Sequence, residues 1–228
     1  NLPLAAATVV IAMRSVPETR DPNASSHFDL AGAVLAALAL GGTTYALIQW
    51  GDSLAVIALV VSVLAAVAFL LVEKREREPM LQLGIFSSRT FSASNAMTLL
   101  VYGALGAIGF FVVIQLQTVS GYGALRAGVA FLPMTACMVF LASAGGRLAQ
   151  RIGPRLPMTV GPIVMALGTL LFLGIGSDVN FWLHVLPGMI VFGLGLALMV
   201  APLPATVLAA APDEHAGIAS GVNNAIAR

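Results

Sequence analysis

Apolar runs broken by short polar punctuation set the rhythm of this chain. Residues 1–13 are apolar and too short to cross a bilayer, which takes roughly 20 residues, so they read as the end of a helix. Arg14 to Phe28 is polar, with two prolines, and predicts a loop. Asp29 stands where an N-cap is needed. Leu30 to Gly51 and Leu54 to Val72 are uncharged apart from the turn at Gly51-Asp52-Ser53, and predict a pair of crossings. The run Glu73-Lys74-Arg75-Glu76-Arg77-Glu78-Pro79 predicts a solvated loop, and Leu81 to Arg89 a short amphipathic piece on the membrane surface.

Beyond it, Phe91 to Thr118 predicts one long crossing, ended by the turn Ser120-Gly121-Tyr122-Gly123. A further crossing runs from Arg126 to the basic, glycine-punctuated turn Gly145 to Arg155. Leu156 to Ser177 and Phe181 to about Leu208 are the next two, parted by Asp178-Val179-Asn180. Pro212-Asp213-Glu214-His215 then opens another helix that the sequence leaves unfinished, so six complete crossings are expected between two partial ones, within a longer protein. Runs this long and continuous cannot be barrel strands, and the expected fold is an all-α polytopic bundle.

Composition agrees: 59% of the 228 residues are hydrophobic and 9% charged, against about 25% charged in a soluble domain. Charge adds sidedness. Ten of the eleven Lys and Arg fall in residues 14–29, 73–90, 147–155 and 209–228, while Arg126 alone falls on the opposite side. The positive-inside rule therefore predicts a cytoplasmic position for the first set.

Catalytic chemistry has no foothold in the pattern. His27, His184 and His215 are scattered, Cys137 is single, and no HExxH, CxxC or phosphate-binding glycine loop occurs. No enzyme activity, catalytic residue, metal site or cofactor is expected. No Asp, Glu, Lys, Arg or His falls at mid-membrane, so a titratable coupling group would have to lie elsewhere in the protein. Pro133, Pro162, Pro187, Pro202 and Pro204 fall inside crossings and predict kinks. Glycines 103, 106 and 109 on one helix, and 188, 193 and 195 on another, predict close or sliding helix contacts. Asn95, Tyr102 and Gln115 are candidates for lining a substrate cavity. The competing reading, commoner for such residues, is hydrogen bonding between neighbouring helices.

Gly146-Arg147-Leu148-Ala149-Gln150-Arg151-Ile152-Gly153-Pro154-Arg155 resembles the cytoplasmic loop motif of the major facilitator superfamily in its second-half copy. Phe28 to Gly32, Gln117 to Tyr122, Gly128 to Pro133 and Ala216 to Asn224 extend the likeness to the fourteen-helix drug:proton antiporters of the EmrB/QacA type. The resemblance implies that residues 1–13 end the sixth helix and 30–72 are two linker helices. Residues 91–208 would then be four helices of the C-terminal half, and 209–228 a loop with the start of a fifth. It implies proton-driven export of small lipophilic compounds by alternating access in the plasma membrane. The implied partners are the lipid bilayer, that substrate and protons, with no nucleic acid and no cofactor. Gly146, Arg147, Gln150, Arg151, Gly153 and Arg155 would form the gating loop. Gln150 replaces the family's acidic residue, which leaves no acid for a latch at that position. The alternatives are a carrier for a specific metabolite or lipid in the same fold, and a non-transporting membrane scaffold.

Overall fold

The computed structural model describes residues 2–15, 29–76 and 79–228. The described residues form ten α-helices and no strand: α1 (Leu2–Ser15), α2 (Leu30–Ile48), α3 (Ser53–Arg75), α4 (Arg89–Thr118), α5 (Ala124–Val129), α6 (Leu132–Ile152), α7 (Arg155–Leu171), α8 (Leu186–Met199), α9 (Pro202–Ala209) and α10 (Ala216–Ala227). Six helical stretches among them are long and apolar enough to cross a membrane, as the hydropathy pattern predicts. Most of the loop expected at 14–28 lies outside the described residues. The chain divides into two compact units, Asn1–Leu81 and Gln82–Arg228.

In the first unit α2 and α3 form an antiparallel hairpin. Asp29 caps α2 as expected, its Oδ1 accepting from the Gly32 N–H at 2.7 Å. Asp52 caps α3, accepting from Leu54 N–H at 3.4 Å. Close approach comes from Gly42, where a methyl group would stand 3.0 Å from the Ala58 carbonyl and 2.9 Å from Ser62 Cβ. The charged run corrects an expectation. Its first three residues belong to the last turns of α3, and Glu73 is only 3% exposed instead of solvated. The helix outlasts the apolar run, and Glu73 then accepts the Leu81 N–H at 3.2 Å as the chain turns back. Arg77 and Glu78 of that run lie outside the described residues.

The second unit is built around α8. Met189, Phe192, Leu196 and Met199 are no more than 2% exposed, and α6 and α7 pack on either side. Glycines make these contacts. A methyl on Gly195 would stand 2.6 Å from both the Gly161 carbonyl and the Met165 N, and one on Gly168 would strike the backbone of Phe192. Gly145 meets the Ala197 carbonyl in the same way, and Gly193 meets Met134. Gly103, Gly106 and Gly109 of α4, by contrast, have no neighbour within 4 Å. The two glycine sets read alike in sequence, yet Gly193 and Gly195 are locked against backbone and Gly188 against the Phe172 ring, while the set on α4 faces open space.

Prolines break the last long crossing in two places. Pro187 and Pro202 lack the N–H that a continuous helix needs. Before Pro187 the turn Phe181–Val185 widens so that Leu186 N–H reaches back to the Phe181 carbonyl, five residues earlier. At Val200 and Ala201 the helix stops, and Pro202 begins α9. The stretch expected as one helix from Phe181 to Leu208 is therefore a widened turn, α8 and α9 in series. The piece expected at Leu81–Arg89 shrinks to a single 3₁₀ turn at Leu83–Ser87.

Large apolar side chains such as Leu64, Leu100, Phe110 and Phe140 are more than half exposed. In water such a surface would aggregate; hydrocarbon is the solvent that covers it without cost.

Candidate functional site

The polar groups buried in the second unit collect on α4. Phe91, Ser94, Asn95 and Thr98 lie on its buried face, a spacing of three and four residues that aligns them along one side of the helix. Asn95 donates to the Phe91 carbonyl at 3.1 Å and accepts from Asn223 Nδ2 of α10 at 3.2 Å. The same Asn223 amide donates to Thr98 Oγ1 at 2.8 Å. Asn95 and Thr98 are 2% and 1% exposed, so these bonds are made away from solvent.

Gln115 sits twenty residues along the same helix, about 30 Å from Asn95 at 1.5 Å per residue. It donates to the Ile175 carbonyl at 3.0 Å, tying the end of α4 to the loop after α7. Tyr102 is half-buried between the two, level with the open glycine face. The three cavity candidates are thus not brought to one place. Asn95 and Gln115 are spent in helix-to-helix and helix-to-loop hydrogen bonds, and Tyr102 is left beside Gly106 and Gly109. Sequence reasoning missed Asn223 as the partner of Asn95, and Thr98 as the second acceptor of the same amide. A signal for Thr98 was available in its three-residue offset from Asn95, whereas Asn223 is 128 residues from Asn95 and had none.

The basic segment is mostly helix. Helix α6 continues through Ile152, so only Gly153 leaves helical geometry, and Pro154, already helical in φ and ψ, leads into α7 at Arg155. Gly153 sits at φ +85°, a left-handed position that glycine occupies without Cβ strain. Helical continuation sorts the segment into two rows. Gly146, Ala149, Gln150 and Gly153 line a cleft of about 620 Å³, whose far wall is Ala201, Pro202 and Thr206. Arg147 and Arg151 belong to the other row of α6 and Arg155 opens α7; all three are exposed, without an ion pair among the described residues. The cleft wall is mainly apolar, and Gln150 offers it an amide where an acid would carry charge.

The remaining candidates for chemistry stay apart. His184 accepts the Asn180 N–H at 3.1 Å, closing the turn that starts the widened helix. His215 lies 3.9 Å from Glu214. Cys137 is half-buried where α6 meets Gly193 of α8, in keeping with the packing role its apolar surroundings suggest. No group of three metal-ligating side chains occurs among the described residues.

Comparison with known proteins agrees with this architecture. Residues 3–228 match the Major Facilitator Superfamily. The chain is 30% identical to the multidrug resistance protein Stp of Mycobacterium tuberculosis, over 99% of this chain and 42% of that protein. It is 31% identical to the tetracenomycin C resistance and export protein of Streptomyces glaucescens, over 97% of this chain and 42% of that one. It is 33% identical to the methylenomycin A resistance protein of Bacillus subtilis, over 99% and 49%. The chain spans less than half the length of these curated relatives. With six long apolar helices and a match over almost every residue, the chain is a multi-pass protein of the cell membrane and belongs to the Major Facilitator Superfamily.

Proposed function

We propose that the whole protein is a secondary transporter that exports small lipophilic or drug-like compounds by alternating access, driven by proton influx. The observation that carries this reading is the set of relatives, each named for resistance or export and each aligned over nearly all of this chain. The packing supports it. Backbone-to-backbone glycine contacts make α6, α7 and α8 a stiff block, while the glycine face of α4 is open. A stiff block beside an open face suits a bundle that rocks about a site and does not melt. On α4 that open face, Tyr102 with Gly106 and Gly109, is the portion of the candidate set left for a substrate. Residues 30–72 would be the linker pair and 91–208 the first four helices of the second half.

The test is accumulation of a lipophilic cationic dye in cells carrying the full-length protein. Accumulation several-fold below that of vector-only cells is expected, with the difference erased by a proton uncoupler. Equal accumulation in both cell lines overturns export, and efflux that survives the uncoupler overturns proton coupling.

The gating segment belongs to the same proposal, with Gly146, Gln150 and Gly153 at the cleft and Arg147, Arg151 and Arg155 holding it on the cytoplasmic side. Arginines at that depth suit lipid phosphates and helix C-terminal carbonyls. Reporters fused near Gly121 and near Gly153 should read opposite sides of the membrane, with Gly153 inside. Matching sides would overturn the helix count, and a reversed pair would overturn the orientation.

A further inference from the structure

The last long crossing changes neighbours at its break. Up to Met199 it is α8, packed chiefly on α6 and α7; from Pro202 it is α9, packed chiefly on α4 and α10. Leu203 and Val207 of α9 are no more than 2% exposed, and Asn223 bonds α10 to α4. The second unit is thus two sets of helices, α6–α7–α8 and α4–α9–α10. The broken crossing runs from one set into the other at Val200 and Ala201.

The two sets are packed by different means. The contacts that bring backbone against backbone, at Gly145, Gly161, Gly168, Gly193 and Gly195, all lie inside the first set. Small residues let those helices approach until no side chain is left between them to rotate. Where the sets meet, the side chains are long: Met97 of α4, Met158 and Met165 of α7 and Met199 of α8 gather in one cluster with Leu203. Methionine is unbranched and fills gaps of changing shape, so this seam adapts where the glycine contacts cannot.

The break itself is soft. Val200 and Ala201 keep near-helical backbone angles, φ −61° with ψ −31° and φ −85° with ψ −48°. What the helix loses there is hydrogen bonds. Pro202 and Pro204 have no N–H, so the carbonyls of Leu198 and Val200 lack the donor four residues on. A small change of backbone angle at the break therefore swings α9 with few helical bonds to resist it. Gly146 of α6 stands beside this joint, where a methyl would lie 3.3 Å from Ala201 Cβ. Both residues line the cleft of about 620 Å³, and its other walls come from opposite sets: Ala149 and Gln150 from one, Thr90 and Ala205 from the other.

We infer that Val200–Ala201 is a hinge inside the second unit, about which α4, α9 and α10 move as one body against α6, α7 and α8. The motion widens and narrows the cleft while the glycine contacts of the first body stay closed. The hinge is a property of how this unit packs and does not rest on export, so its test reads distances and not efflux.

Pulsed electron resonance between pairs of spin labels provides that test, on the full-length protein in lipid nanodiscs with Cys137 and any other native cysteine replaced. The labels go on exposed side chains: Arg151 of α6 with Leu208 of α9 across the cleft, Val139 of α6 with Leu170 of α7 inside one body, and Leu100 of α4 with Leu208 inside the other. The cross-cleft pair should give a broader distance distribution than either control pair. Pro202→Ala restores the N–H that the Leu198 carbonyl lacks and should narrow that distribution to the width of the controls. Ala201→Gly frees the joint and should broaden it. A cross-cleft pair as narrow as the controls overturns the hinge, because the unit would then be one body. A broad distribution that a folded variant leaves unchanged also overturns it, because the motion would lie elsewhere. A Leu100–Leu208 pair as broad as the cross-cleft pair overturns the grouping of α9 with α4. If Pro202→Ala does not fold, the parent pairs and Ala201→Gly decide. Absent dye export with the expected distances would sink the transport reading and keep the hinge.

Discussion

Replacing Gly195 by leucine is expected to dismantle the second unit, with a loss of about 3 kcal/mol, the upper end of the usual cost of overpacking a core. The position faces the Gly161 carbonyl and the Met165 N at 2.6 Å from where a Cβ would stand. Both neighbours are backbone of α7, so no side chain can rotate out of the way. The only relief is to push α7 and α8 apart, and that also uncovers Phe192, Leu196 and Met199. The matched control is Gly106→Leu on α4, where no atom lies within 4 Å and a change near zero is expected. Thermal melts and size-exclusion profiles of the full-length protein in detergent check both. A monodisperse Gly195→Leu protein melting with the parent would show that α7 and α8 do not pack as closely as the glycines indicate.

The second large effect is expected at Asn223. Changing it to leucine removes the amide that serves Asn95 and Thr98 at once, and leaves Asn95 Oδ1 buried with no donor. Stranding a buried polar atom costs about 1–3 kcal/mol, and α10 would lose its polar anchor on α4. The energy that belongs to the bond itself is smaller. A double-mutant cycle on Asn95→Ala and Asn223→Ala should give a coupling of about 0.6–1.7 kcal/mol, the range of hydrogen bonds between membrane helices. Additive losses within error would mean that the contact contributes no energy of its own.

These two sites differ in how far they could be read in advance. A glycine in a crossing predicts close packing somewhere on that face, and Gly193 and Gly195 obey. Gly103, Gly106 and Gly109 carry the same pattern with no contact, because sequence records the absence of a side chain and not the presence of a neighbour. Asn95 showed a similar limit. Its amide had to be satisfied in an apolar bundle, which made a cross-helix bond the commoner reading, but the partner is on α10 and no local spacing points there. Gln115 is bonded too, to a loop carbonyl sixty residues on. Glu73 was the largest departure. A charge beside Lys74 and Arg75 in a hydrophilic run reads as solvated, but Glu73 is buried where it meets Gly32 of α2 and the returning chain at Leu81.

The number of crossings, their all-α character and the positive asymmetry of the loops are properties of the sequence itself. Lipid forces every backbone N–H and C=O to be satisfied within its own segment, so a long apolar run can only be a helix and local composition is enough to find it. Turn positions follow for the same reason: Gly51, Gly121 and Gly153 all adopt positive φ where the glycine-rich punctuation lies. Which face of each helix meets another was decided only by the tertiary structure. That outcome depends on contacts between segments far apart in the chain, and the sequence of one helix holds no record of the distance to the next. The locking of α7 against α8, the bond from Asn223 to Asn95, the two sides of the basic segment and the burial of Glu73 all belong to that second class.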